Sequence, residues 1–149
     1  MNWGGSGIEQ IVFGFILGST KLGSNVIELG SGFTSTYALR SFYKLYSVDH
    51  NKEYQNKVDD VKYIYAPIVN DWYNVDILKK KLPQKSSLVL IDGCNRLGIL
   101  EHLDLFDKNT KYLIHDTYRE KEIELGRKLS KILNRKPIWY SFEDYWCYI

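Results

Sequence analysis

The chain has 149 residues, 44% of them hydrophobic and 26% charged, with a net charge of +2. That length predicts a single domain, 1–149, with a real core and no separate substrate domain, and the composition excludes a disordered chain. Without a dense Lys/Arg block, so small a charge offers no footprint for nucleic acid, which is not expected as a partner.

Cys94 and Cys147 lack metal-ligand spacing and are expected as free thiols in a reducing compartment. The apolar segment 8–17 is too short for a membrane span and carries Glu9 and Gln10, so neither a membrane partner nor a signal peptide is expected. A cytoplasmic protein is the expectation.

Residues 1–7 are glycine-rich and predict an N-terminal arm. Ile8, Ile11, Val12, Phe15 and Ile16 recur at helical spacing, and Ser6 with Glu9 makes a capping box, so a helix is predicted to close near Gly18. A strand over 25–29 leads through Gly30-Ser31-Gly32 to a helix over 35–41, with Thr34 and Ser35 as capping residues. A second strand at 43–49, a short helix at 52–57 and a third strand at 61–66 follow. A polar helix over 73–82 stops at Pro83.

Residues 87–92 are the most apolar strand and belong at the centre of a sheet. Leu97, Leu100, Leu103, Leu105 and Phe106 predict a helix over 97–106. A fifth strand spans 111–115, the longest helix 119–134, and two last strands 137–142 and 145–149, joined by a turn at Glu143-Asp144. Strands alternating with helices imply right-handed crossovers, hence an α/β fold with a mostly parallel sheet and an antiparallel hairpin at its end.

The chemistry centres on the first turn, where a strand, two glycines and a helix N-terminus make a ligand cradle. Glu28 would oppose a pyrophosphate laid against the turn, whereas a ligand bearing an ammonium and a sulfonium would be attracted. Ser35 also stands where a dinucleotide fingerprint needs its third glycine.

Glu28-Leu29-Gly30-Ser31-Gly32 resembles motif I of class I S-adenosylmethionine-dependent methyltransferases, and Phe33-Thr34-Ser35-Thr36 extends the likeness toward small O-methyltransferases. The resemblance implies a three-layer Rossmann-like sandwich with seven strands in the order 3-2-1-4-5-7-6. It also implies S-adenosyl-L-methionine as cofactor, with Gly30, Ser31, Gly32, Thr34 and Ser35 against it and Glu28 toward its methionyl end.

Asp49 ends the second strand 21 residues after Glu28, near the spacing of an acid that accepts ribose hydroxyls, although a helix N-cap would use it equally. In the same scheme His50, Asp71 and Trp72 surround the adenine; a surface turn anchored by a packed tryptophan would use the last two as well.

Asp92, within Leu90-Ile91-Asp92-Gly93, and His115, within Ile114-His115-Asp116-Thr117, end the fourth and fifth strands. This pairing resembles small methyltransferases acting on sugars or polysaccharides. His115 suits a base at neutral pH, with Asp92 orienting it or acting itself. Asp116, Arg96 and Arg119 would contact the acceptor, the arginines through an acidic group such as a uronate or phosphate. Asp92 and Asp116 could instead hold a divalent metal, although His115 stands in the first position of the Asp-Asp pair often found at strand five.

Trp139, Tyr140, Tyr145, Trp146 and Tyr148 are expected in core or interface, and an exposed aromatic edge would favour a homodimer. The expected function is methyl transfer to a hydroxyl of a sugar or other small acceptor. The alternative is an S-adenosylmethionine-binding subunit whose acceptor site a partner protein completes.

Overall fold

A computed structural model describes residues 10–142 and 144–149. The arm at 1–7, the Ser6–Glu9 capping box and Glu143 of the last turn lie outside the described residues.

In chain order the elements are α1 (Gln10–Ser19), β1 (Asn25–Leu29), α2 (Phe33–Arg40), β2 (Lys44–Asp49), β3 (Lys62–Tyr65), β4 (Ile68–Val69), β5 (Trp72–Tyr73), α3 (Val75–Lys81), β6 (Leu88–Ile91), β7 (Lys111–His115), α4 (Glu120–Leu133), β8 (Ile138–Phe142) and β9 (Asp144–Tyr148). Short 3-10 turns occupy Lys52–Tyr54, Arg96–Glu101 and Leu103–Leu105.

Seven strands form one sheet in the order β3-β2-β1-β6-β7-β9-β8. The first five run parallel, while β9 is antiparallel to β7 and to β8. Setting aside β4 and β5, which form their own two-stranded ladder, this is the expected order 3-2-1-4-5-7-6. Every residue of β6 is buried, as a central parallel strand requires.

Two cores cover the sheet. Val12 and Ile16 of α1 with Leu39 of α2 pack on Val26, Leu45, Leu88 and Leu113. On the other face Trp72, Leu78, Ile99, Leu125 and Leu129 cover Ile27, Val48, Val89 and Ile114. Those three layers bring the strand C-termini, with their acids, to one edge.

Several boundaries differ from expectation for local reasons. Tyr73 does not start a helix: Asn70 and Asp71 take positive φ of 51° and 64°, the geometry of a tight hairpin turn, and pair β5 with β4. The helix then begins after Asn74, whose side chain accepts from the Ile77 N–H at 3.1 Å. The expected helix at 97–106 is two 3-10 turns, and a side chain at Gly98 would meet Trp72 at 2.5 Å, so this backbone lies flat on the indole. The helix near 52–57 is a single turn.

Helix α2 starts at Phe33 with Gly32 as its N-cap and no side-chain cap. The expected caps Thr34 and Ser35 lie inside the first turn.

Near the C-terminus Trp146 is buried, stacking on Tyr140 at 5.1 Å and contacting Phe15 at 4.6 Å, so it serves the core as expected. Trp139 is 41% exposed on edge strand β8. Cys94 and Cys147 are both free thiols. Among the described residues no helix is long and apolar enough to cross a membrane.

Candidate functional site

Glu28 lies on β1 with 0% exposure. Its carboxylate accepts hydrogen bonds from Ser35 Oγ at 2.5 Å and from Thr36 Oγ1 and Ser47 Oγ at 2.6 Å each. Thr36 Oγ1 also accepts the Gly32 N–H at 3.1 Å, and Ser31 Oγ lies 2.7 Å from Ser47 Oγ. Burial outweighs the three hydroxyl bonds and pushes Glu28 up to about 7.

Glu28 pins the turn from beneath, and Ser35 is one of the three hydroxyls on that pin. Thr36 and Ser47 are the partners that sequence spacing did not single out.

Above the pin the backbone is crowded. Gly30 has φ of 101°, and a Cβ on it would lie 2.5 Å from the Gly93 backbone. A Cβ on Gly93 would meet the Tyr73 hydroxyl at 2.1 Å. Both glycines are therefore required where β1 and β6 end side by side.

Tyr73 is 1% exposed, and its hydroxyl has no hydrogen-bond partner among the described residues beyond the weakly bonding Cys94 thiol beside it. Burial pushes it well above the usual phenol range, so it is a neutral donor. Tyr73 was missed because the sequence placed it in a helix.

Asp49, 6% exposed, accepts from the Ser31 N–H at 2.9 Å and the Asn51 N–H at 2.7 Å. It thus ties the glycine loop to the end of β2. His50 beside it is exposed, its ring 6.4 Å from that of Tyr73. Thr34 is half-buried in the first turn of α2.

Asp71 is exposed in the β4–β5 turn, but Trp72 is 3% exposed, packed on Gly98 and stacked on His102 at 4.9 Å. Of the two readings of Trp72, its burial fits the tryptophan packed under a surface turn.

The second cluster is built around Arg96, 8% exposed. Its Nη2 donates to Asp92 Oδ1 at 2.7 Å and Asp116 Oδ2 at 2.8 Å, and its Nη1 to Glu122 Oε1 at 2.7 Å. His115 Nδ1 lies 3.1 Å from Asp92 Oδ1 and 3.5 Å from Asp116 Oδ1. Burial alone would raise Asp92; the His115 hydrogen bond and charge, with the Arg96 guanidinium, outweigh it and hold Asp92 below the usual carboxylate range.

Arg96 is therefore engaged by three acids while it also lines the cavity described below. Asp116 adopts φ of 59° and does not cap α4, whose N-cap is Arg119. Arg119 Nη2 reaches Asp116 Oδ2 at 3.3 Å with half its side chain exposed. Glu122, which completes the cluster, had one signal: it is the lone acid on the buried face formed with Leu125, Gly126 and Leu129.

A cavity of about 510 Å³ opens beside the Arg96 cluster, lined by Ile68, Asp71, Gly93 to Leu97, Arg119, Lys121 and Glu122. Asp92, His115 and Asp116 are not in its lining. Their ligand atoms converge within 4.8 Å of one another, the geometry of a candidate metal group.

No protein-family model matches the sequence, and no curated protein sequence does. Solved structures do match. The C-terminal domain of precorrin-6Y C5,15-methyltransferase from Rhodobacter capsulatus superposes with a TM-score of 0.69 at 10% identity, over 97% of this chain and 89% of that one. An rRNA methylase from Streptococcus thermophilus gives 0.60 at 13%, over 96% and 97%. MycE methyltransferase of the mycinamycin biosynthetic pathway, solved with Mg, SAH and mycinamycin VI, gives 0.57 at 13%, over 84% and 43%. The fold is the Rossmann-like fold that these methyltransferases share.

Proposed function

We propose that the chain transfers a methyl group from S-adenosyl-L-methionine to a hydroxyl of a small acceptor, a sugar or similar molecule carrying an acidic group. The observation that carries this reading is the backbone contact of Gly30 with Gly93 where β1 and β6 end, since a ligand in this fold class lies beyond the strand C-termini at the switch point. The residues present fit that cofactor. Gly30 and Gly93 leave no room for a side chain where the turn passes the end of β6, the Tyr73 hydroxyl is buried beside Gly93 with Cys94 as its neighbour, and Asp49 keeps lone pairs for ribose hydroxyls beyond the two amides it already accepts.

Bound there, S-adenosylmethionine would supply an electrophilic methyl group for in-line displacement by the acceptor oxygen. Ser31 and Gly32 present the loop backbone, held by Asp49 and by the Glu28 pin. His115 takes the proton of the acceptor hydroxyl, and Asp92, held ionised, orients the imidazole through Nδ1. Arg119 and Lys121 on the cavity wall hold the acidic group of the acceptor, and the cavity's volume lies in the range of small-molecule sites.

Shared fold with an rRNA methylase leaves the expectation against nucleic acid resting on the net charge of +2 alone. Cytoplasmic location accords with the two free thiols. A homodimer would form along β8, where Ile138 and Trp139 are exposed; sedimentation velocity of the wild type and of Trp139→Glu tests it.

The deciding experiment is calorimetry with S-adenosylhomocysteine and with NADH. Only S-adenosylhomocysteine should bind, and Asp49→Ala should weaken it; binding of NADH alone, or of neither, overturns the reading.

One observation favours a second reading, a donor-binding subunit completed by a partner: Asp92, His115 and Asp116 do not line the cavity. In that case the isolated chain binds S-adenosylhomocysteine but turns over no hydroxylated acceptor. The first reading requires turnover by the isolated chain and its loss in His115→Ala.

A further inference from the structure

The geometry points to Arg96 as a built-in cation that takes the place of a divalent metal between the acids ending β6 and β7. The inference rests on the methyltransferase reading for its meaning, since a neighbour of this fold is solved with Mg. Its electrostatic content stands on this chain's own residues.

Asp92, His115 and Asp116 have the spacing of a metal group, yet one guanidinium nitrogen already bridges two of them, at 2.7 and 2.8 Å. The same Oδ1 of Asp92 that would be a ligand accepts from Arg96 and lies 3.1 Å from His115 Nδ1. A hard cation such as Mg²⁺ needs near-octahedral oxygens at about 2.1 Å and keeps several waters. Here a ring nitrogen stands among the donors, and a buried positive charge sits on both carboxylates.

Glu122 makes the arrangement specific. It accepts the other terminal nitrogen, Nη1, at 2.7 Å and is itself 8% exposed, so it fixes the plane of the guanidinium and with it the bridging position of Nη2. Arg96 is anchored from α4 and aimed at the strand ends. A residue present only to bind an acceptor anion would have its terminal nitrogens free of carboxylates; this one has both of them on three carboxylates. Arg96 is thus a positioning residue that fixes Asp92, and through Asp92 the His115 ring, without a metal.

The test uses the full chain and Mn²⁺ alone, followed through the electron paramagnetic resonance signal of the free ion. The wild type should take up no Mn²⁺ at stoichiometric concentration. Arg96→Met, which removes the charge and keeps a long side chain, should bind one ion per chain, on the order of a hundredfold more tightly than wild type once the nearby positive charge is gone. Adding Asp92→Asn should abolish that binding.

Arg96→Lys restores a cation and should again exclude Mn²⁺. A wild type that binds one Mn²⁺ and loses it in Asp92→Asn overturns the inference, as does a folded Arg96→Met chain that binds none. If Arg96→Met does not fold by near-ultraviolet circular dichroism, the wild-type, Asp92→Asn and Arg96→Lys titrations decide: Mn²⁺ taken up by Arg96→Lys overturns the inference, and its exclusion from both wild type and Arg96→Lys supports it. S-adenosylhomocysteine calorimetry fails or succeeds independently of these titrations, so failure of the donor reading is distinguishable.

Discussion

Two carboxyl groups at one edge of the sheet are moved in opposite directions from the usual carboxylate range. Glu28 on β1 is surrounded by three hydroxyls and has no counter-ion, and it is pushed up to about 7. Asp92 after β6 has a guanidinium at 2.7 Å and an imidazole at 3.1 Å, and it is held below its usual range. Hydroxyl groups satisfy the lone pairs of a carboxylate but do not repay its desolvation, whereas a fixed cation does both. The first arrangement is a structural pin beneath a loop; the second keeps a charge available in the interior.

The largest expected effect comes from removing that cation. Arg96→Ala leaves Asp92, Asp116 and Glu122 without their shared partner, and should cost about 3 to 5 kcal/mol in urea unfolding.

Glu28 and Asp92 then separate by pH. Because Glu28 has its folded value raised from 4.5 to about 7, its contribution to stability is full below pH 4.5 and is lost as pH rises through 7, amounting to about 3 kcal/mol. Glu28→Gln should flatten thermal stability between pH 5 and 8. Asp92 is lowered, so its contribution is present above the unfolded carboxylate range and is lost as pH falls through its lower folded value; Asp92→Asn should blunt the acid limb only.

Gly30→Ala, strained at φ of 101° and colliding with Gly93, should cost about 1 to 3 kcal/mol and reduce S-adenosylhomocysteine affinity in calorimetry. A variant that keeps full affinity would remove the cradle from the donor site. Smallest is Arg119→Ala, whose partner contact is half exposed: below about 1 kcal/mol by urea unfolding, with any larger effect confined to acceptor KM.

Much of the frame was legible from side-chain pattern. The strands at 25–29 and 111–115 match β1 and β7 residue for residue, because buried parallel strands are continuous apolar runs. Asp49, Asp92 and His115 were found as strand-end groups for the same reason.

Trp72 stayed open between an adenine contact and a packed turn anchor because an aromatic beside an acid looks the same in both; the packing of Gly98 on the indole is visible only in three dimensions. Glu28 was assigned by charge, yet its behaviour follows from Ser35, Thr36 and Ser47, two of which come from α2 and one from β2.

By itself the sequence determined the run of strands and helices and the mostly parallel sheet they make, since periodicity and turn chemistry are local and add along the chain, while the strand order came from the family resemblance. Only the tertiary structure decided which acids carry charge. That depends on what each carboxyl meets across the sheet, and it brought Arg96 and Glu122, 26 positions apart, within 2.7 Å of each other.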